Sequence, residues 1–152
     1  IQASVEIFES VLEKRPVSPL DFHRRIEAVR RFVSLPAAES LAAANKRVAN
    51  ILRQAGLTDA PVTDPEQLVE AEERTLYERV VELDQEVRPL LAAREYQAAL
   101  ERLSTLREPV DAFFDGVMVM AEDEGLRRNR LALLAQMRGL FLHTADLSRL
   151  GG

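Results

Sequence analysis

Apolar residues recur along this chain at spacings of three and four, and no alternating apolar–polar run bounded by turn residues predicts a strand. The pattern predicts an all-α fold, a helical bundle of about six or seven helices. Ile1 to Leu12 reads as a first helix, and Pro16 breaks the chain after it. Ser18, Pro19 and Asp21 then supply a cap, a first-turn proline and a first-turn acid for a helix from Pro19 to Ser34. Phe22, Ile26, Val29 and Val33 form its inward face, with Arg24 and Arg31 seven residues apart on the outer one. A third helix is predicted from Pro36 to Ala55, stopped by Gly56. Leu41, Ala44, Val48, Ile51, Leu52 and Ala55 make its buried stripe. Lys46, Asn50 and Arg53 fall at i, i+4 and i+7 on the other side, flanked by Arg47 and Gln54. Asn45 lies nearer the apolar edge, where a short amide is expected to bond backbone or another side chain.

Leu57 to Thr63 reads as a loop, and Asp64, Pro65 and Glu66 are expected to open a long helix. Leu76, Val80, Leu83, Val87 and Leu90 give that helix a heptad-like seam, which Pro89 should kink or end. The next helix carries Tyr96, Ala99, Leu100, Leu103 and Leu106 and is expected to stop before Pro109. A short helix with Val110, Phe113, Phe114 and Val117 follows. The last is predicted from Glu122 to Leu147, its inward stripe formed by Leu126, Leu133, Leu134, Met137, Leu140, Phe141 and Thr144. Arg130 falls within that stripe, so its guanidinium is expected to be partly buried and paired, with Asp111, Asp115 or Asp123 as candidate partners.

Composition narrows the chemistry. With 152 residues, 47% of them hydrophobic, the chain can bury a core as a single domain over residues 1–152. The absence of cysteine excludes disulfides, thiolate metal sites and thiol nucleophiles. No apolar stretch is long enough to suggest a membrane span, so the chain reads as soluble. It lacks an initiator methionine and opens within a helical pattern, which reads as a piece of a longer protein. No glycine-rich phosphate loop, serine elbow or metal-spaced histidine pair occurs, so neither catalytic residues nor metal ligands are expected. His23 and His143 have no ligand-spaced partner, and Glu122, Asp123 and Glu124 suit the first turn of a helix better than a metal cluster.

The net charge of −5 argues at first against a polyanion partner, but its distribution does not. Residues 1–56 carry nine basic and six acidic groups, residues 57–109 six and thirteen, and residues 110–152 five and six. A polyanion would therefore prefer the first third, where the outer faces of two successive helices are basic. The 18 arginines to 2 lysines suit planar bidentate contacts, although a GC-rich genome gives the same bias.

One stretch carries a resemblance. DAFFDGVMVMAEDEGLRRNRLALLAQMRGLFLHTADLSRL, from Asp111 to Leu150, closely resembles the C-terminal end of the β subunit of bacterial heterotetrameric glycyl-tRNA synthetases. LAAANKRVANIL from Leu41 to Leu52 and DFHRRIEAVRRF from Asp21 to Phe32 resemble the preceding part of the same DALR-like helical anticodon-binding domain. An arginyl-tRNA synthetase, which has a related domain, fits less well because the chain ends in ADLSRLGG. The resemblance implies a cytoplasmic ligase that joins glycine to its tRNA with ATP and magnesium, activation occurring on the α subunit. This chain would be non-catalytic, hold no cofactor and engage glycine tRNA, with the α subunit and the rest of the β subunit as protein partners. The candidate tRNA-binding residues, chosen from the helical faces and charge, are Arg24, Arg31, Lys46, Arg47, Asn50 and Arg53, with Arg127 and Arg128 as a weaker second group. The alternative is a helical scaffold that mediates contacts within the synthetase without reading the anticodon. Its mark would be an exposed apolar patch on the first helix at Ile1, Val5, Phe8 and Leu12.

Overall fold

The computed structural model describes residues 2–12, 18–56 and 62–145. Among them it contains seven α-helices and no strand: α1 Gln2–Leu12, α2 Pro19–Phe32, α3 Ala38–Gln54, α4 Ala71–Ala92, α5 Tyr96–Leu103, α6 Arg107–Gly116 and α7 Glu124–Leu142. The break at Pro16, residues 57–61 of the predicted loop and the predicted end of the last helix at Leu147 lie outside the described residues.

Helix α4 is the axis of the bundle, packed on α5, α6 and α7. Its seam is as predicted, with Leu76, Val80, Leu83 and Val87 buried and Leu90 partly so. Helix α7 contributes the fully buried Leu133, Leu134, Met137 and Phe141, and α5 contributes Ala99, Leu100 and Leu103. Phe32 of α2 meets Phe141 edge-on, with ring centroids 6.3 Å apart, which ties α2 to α7. Helix α2 otherwise packs on α1 and α5, whereas α3 packs on α6 and α7. These clusters join into one continuous core.

Local chemistry explains the starts of α2, α4 and α7. The Ser18 hydroxyl accepts from the amide of Asp21 at 2.9 Å, and Pro19 occupies the first turn. Asp123 caps α7 by accepting from the Leu126 amide, and Glu124 follows in the first turn, so this acidic cluster serves the helix start. Asn45 is buried and donates to the Leu41 carbonyl at 2.9 Å, as its position predicted.

Several expectations are corrected. Asp64–Pro65–Glu66 does not open the long helix: Asp64 caps only a 3-10 turn, Pro65–Gln67, and α4 begins at Ala71 with Glu70 and Glu73 in a reciprocal capping arrangement. Of the two outcomes expected at Pro89, an end to the helix is not what occurs there: α4 runs on for three further residues, to Ala92. Pro109 does not separate two helices either. It sits in the first turn of α6, where an amide would have no intrahelical partner, and a 3-10 turn, Ser104–Leu106, joins α5 to α6. Val33, expected inside, is the C-cap of α2 and 38% exposed, with Phe32 buried in its place.

The sharpest correction concerns Arg130. It is buried as predicted, but its partner is none of Asp111, Asp115 or Asp123. Its Nη2 donates to Oε1 of the fully buried Glu73 at 3.0 Å, and its Nη1 to the Met118 carbonyl at 2.7 Å. Because α4 packs directly on α7, Glu73 reaches the arginine while completing the cap of its own helix.

Asn129, one residue earlier on α7, clamps the segment that leads to α4. Its Oδ1 accepts from the Asp64 amide at 2.6 Å and its Nδ2 donates to the Asp64 carbonyl at 3.1 Å. Asn129→Ala should leave both backbone groups without these partners, costing about 1–3 kcal/mol. Hydrogen exchange is the direct check, with faster exchange expected at the Asp64 and Gln67 amides while the middle of α4 stays protected.

Candidate functional site

The α3 face is built as its spacing dictates. Leu41, Ala44 and Val48 point into the core, so Lys46, Asn50 and Arg53 emerge together on the exposed side, none of them bonded to a described residue. Arg24 and Arg31 are likewise exposed on one side of α2 and free of ion pairs with described residues. The neighbouring Arg30 pairs with Glu27 across one turn at 3.4 Å, which removes it as a free cation.

The structure does not gather the six predicted residues at one groove. Arg24 borders a groove of about 340 Å³ between α2 and the start of α5, lined also by His23, Glu27, Arg94 and Tyr96. Arg47 turns into a different groove, of about 360 Å³, between α3 and α6. There its guanidinium sits over the Phe114 ring, 4.2 Å from the centroid, beside Ser40, Asp111 and Asp115. Ser40 donates to Asp111 at 2.9 Å, and Arg107 lies 3.8 Å from the same carboxylate. Asp115 is exposed and has no such partner among the described residues. Arg127 and Arg128 line a third groove of about 400 Å³ with Met120 and Glu124. Arg127 already donates to the Ala121 carbonyl at 3.1 Å, which leaves Arg128 as the freer of the two.

Sequence reasoning missed three participants. Arg94 takes a left-handed backbone at φ 61°, which carries its side chain out of the turn between α4 and α5 to line the same groove as Arg24. Its sequence neighbourhood, without glycine, gives no turn signal. Phe114 reads as one more apolar residue until α3 is placed against α6. Arg25 was legible in part, since it follows Asp21 by one helical turn. Its Nε donates to Asp21 at 2.8 Å, its Nη1 donates to the carbonyls of His143 and Thr144, and its guanidinium lies 4.4 Å from the centre of the Tyr96 ring. Tyr96 donates in turn to Asp21. This cation covers the open carbonyls at the end of α7 and is structural, unlike Arg24 beside it.

The same node shifts two acids. Burial alone would raise the Asp21 carboxyl, but hydrogen bonds from Tyr96 and Arg25 and the charges of Arg25 and Arg94 outweigh it and hold the group below the ordinary aspartate value. Burial, reinforced by the bond to Asp21, pushes the Tyr96 hydroxyl above its ordinary value. Among the described residues no group of three or more His, Asp or Glu side chains could hold a metal ion, and no helix is long and apolar enough to cross a membrane.

Residues 41–147 match the model of the family described as the DALR anticodon binding domain. The chain is 55% identical over 145 residues to the glycine–tRNA ligase beta subunit of Aeromonas hydrophila, covering 95% of this chain and 21% of that protein. It is 53% identical over 147 residues to the protein of the same name from Pseudomonas aeruginosa, and 51% identical over 149 residues to that of Acinetobacter baumannii, covering 22% of each. The chain therefore spans about a fifth of the length of these curated relatives.

Proposed function

Because the chain belongs to the DALR anticodon-binding domain family, we propose that it binds the anticodon end of glycine tRNA as the non-catalytic, tRNA-holding part of a glycine–tRNA ligase β subunit. The observation that carries this reading is the α3 face: Lys46, Asn50 and Arg53 stand exposed, unpaired with any described residue, on one side of a helix inside the family match. The cations suit phosphates and Asn50 suits a base edge, while Arg24 and Arg31 extend the basic surface onto α2. The domain would supply binding energy and register far from the reacting ester, helping to bring the acceptor end to a catalytic site on the α subunit of a cytoplasmic heterotetramer. ATP and magnesium would be used there.

The test is a titration of this chain with glycine tRNA and with an anticodon-substituted tRNA at two salt concentrations. Specific recognition predicts weaker binding to the substituted tRNA at both. Replacing Arg24, Arg31, Lys46 and Arg53 together with glutamine should weaken binding and make the log–log salt slope shallower by about 3, with helicity unchanged. An unchanged affinity and slope would remove this face.

A second reading, the scaffold, rests on α1, where Val5, Phe8 and Leu12 are all exposed. Phe8 is partly engaged with Phe22, at 5.3 Å between centroids, and the rest of this apolar strip faces outward. Contacts to the remainder of the β subunit or to the α subunit would cover it. Absence of tRNA binding at either salt would favour that role.

A further inference from the structure

We propose that the groove between α3 and α6 reads a single cytosine of the anticodon, with Arg47 and Asp115 as the specificity-determining pair; this rests on the anticodon-binding reading above. Arg47 is supported from below by the Phe114 ring and has no carboxylate of the described residues within ion-pair distance, although two aspartates line the same groove. Asp111 is occupied by Ser40 and Arg107, whereas no described residue bonds either oxygen of Asp115. The groove thus offers a pair of coplanar N–H donors on one wall and a free acceptor on the other, and at about 360 Å³ it lies at the small end of ligand sites.

The Watson–Crick edge of cytosine is the complement of that arrangement. Its exocyclic amino group donates, matching Asp115, and its N3 and O2 are adjacent acceptors, matching the two-pronged guanidinium. Uracil presents a carbonyl where cytosine has the amino group, which would face the carboxylate as one acceptor against another. Glycine codons all begin with two guanines, so the middle and third bases of a glycine anticodon are both cytosine. Splayed anticodon bases are read in this way, by edge contacts in a site that an aromatic or arginine plane lines. Lys46, on the outer side of the same helix, is left for the phosphates.

The test uses this chain with a glycine tRNA transcript and two further transcripts in which one or the other of these cytosines is uracil. The native chain should prefer cytosine by about tenfold or more at one of the two positions. Asp115→Asn, whose amide can donate to the uracil carbonyl, and Arg47→Lys, which keeps charge without the fork, should each shrink that preference at least severalfold. Lys46→Gln should weaken all three RNAs alike. Asp115 and Arg47 are exposed, and unchanged melting temperatures would show that both variants fold. If the native chain discriminates and both variants discriminate equally well, the groove assignment is overturned while anticodon binding stands. A native chain that binds all three transcripts equally, or none of them, would overturn the anticodon reading itself, and the groove assignment with it.

Discussion

Replacing Glu73 with alanine should destabilise the fold by about 3–5 kcal/mol, the penalty for leaving a buried guanidinium without its counter-ion. Glu73 is fully buried and Arg130 is 6% exposed, so water cannot substitute for the lost partner. The pair is also incompletely satisfied: Glu73 Oε2 and Arg130 Nε are buried without a hydrogen-bond partner among the described residues. A pair of this kind is more costly to break than valuable to keep, which gives the test two directions. Arg130→Ala and Glu73→Ala should each lower the melting temperature by about 10 °C, whereas Arg127→Ala and Arg128→Ala should have much smaller effects. The double replacement Glu73→Leu with Arg130→Met should recover most of the loss, because it removes both charges and retains the volume. Equal melting temperatures for the three single arginine variants would show that Arg130 carries no buried pair.

Asp21→Ala is expected to cost about 2–4 kcal/mol, since it removes the acceptor of both Tyr96 and Arg25 inside the α2–α5 contact. The pH dependence provides a more selective signature. The Asp21 carboxyl is lowered in the folded chain, so the unfolded chain takes up the proton first as the solution is acidified. Its contribution to stability is present above the ordinary aspartate value of about 3.8 and is lost as pH falls from there through the depressed folded value. Tyr96 acts at the other end. Its hydroxyl is raised, so its contribution is present below about 10.0 and is lost as pH climbs through the folded value. Chemical denaturation of Asp21→Asn across pH should therefore show a flatter acid limb than the parent. Tyr96→Phe should flatten the alkaline limb. Unaltered limbs in both variants would remove the node as the origin of the dependence.

The fold was legible where one helix face decides the matter. The α4 seam, the α7 stripe and the burial of Arg130 and Asn45 all follow from residues three and four apart meeting the same neighbour. What was not legible depends on which helices touch. Glu73 lies 57 residues before Arg130, and nothing local in either segment marks them as partners; the nearer aspartates were the reasonable choice until α4 was seen against α7. Punctuation misled for a different reason. Asp64 followed by proline is a sound cap, but the same chemistry serves a three-residue turn, and the true start of α4 uses glutamate at a position where serine or threonine is the stronger signal. The candidate site divides in the same way. Helical phase alone identified Arg24, Arg31, Lys46, Asn50 and Arg53 as outward-facing, whereas the turn of Arg47 onto Phe114 required α6 to be placed.

The bond from Arg25 to the end of α7 bears on synthesis as well as stability. Its two ends lie 118 residues apart, so during translation α2 and α5 can associate while the carbonyls that complete the Arg25 shell have yet to leave the ribosome. The guanidinium must wait for its final ligands until α7 emerges, and a nascent chain halted before residue 143 would carry this cation half-coordinated. The Arg25 shell is thereby completed only after α7 has been made, however early α2 and α5 have met.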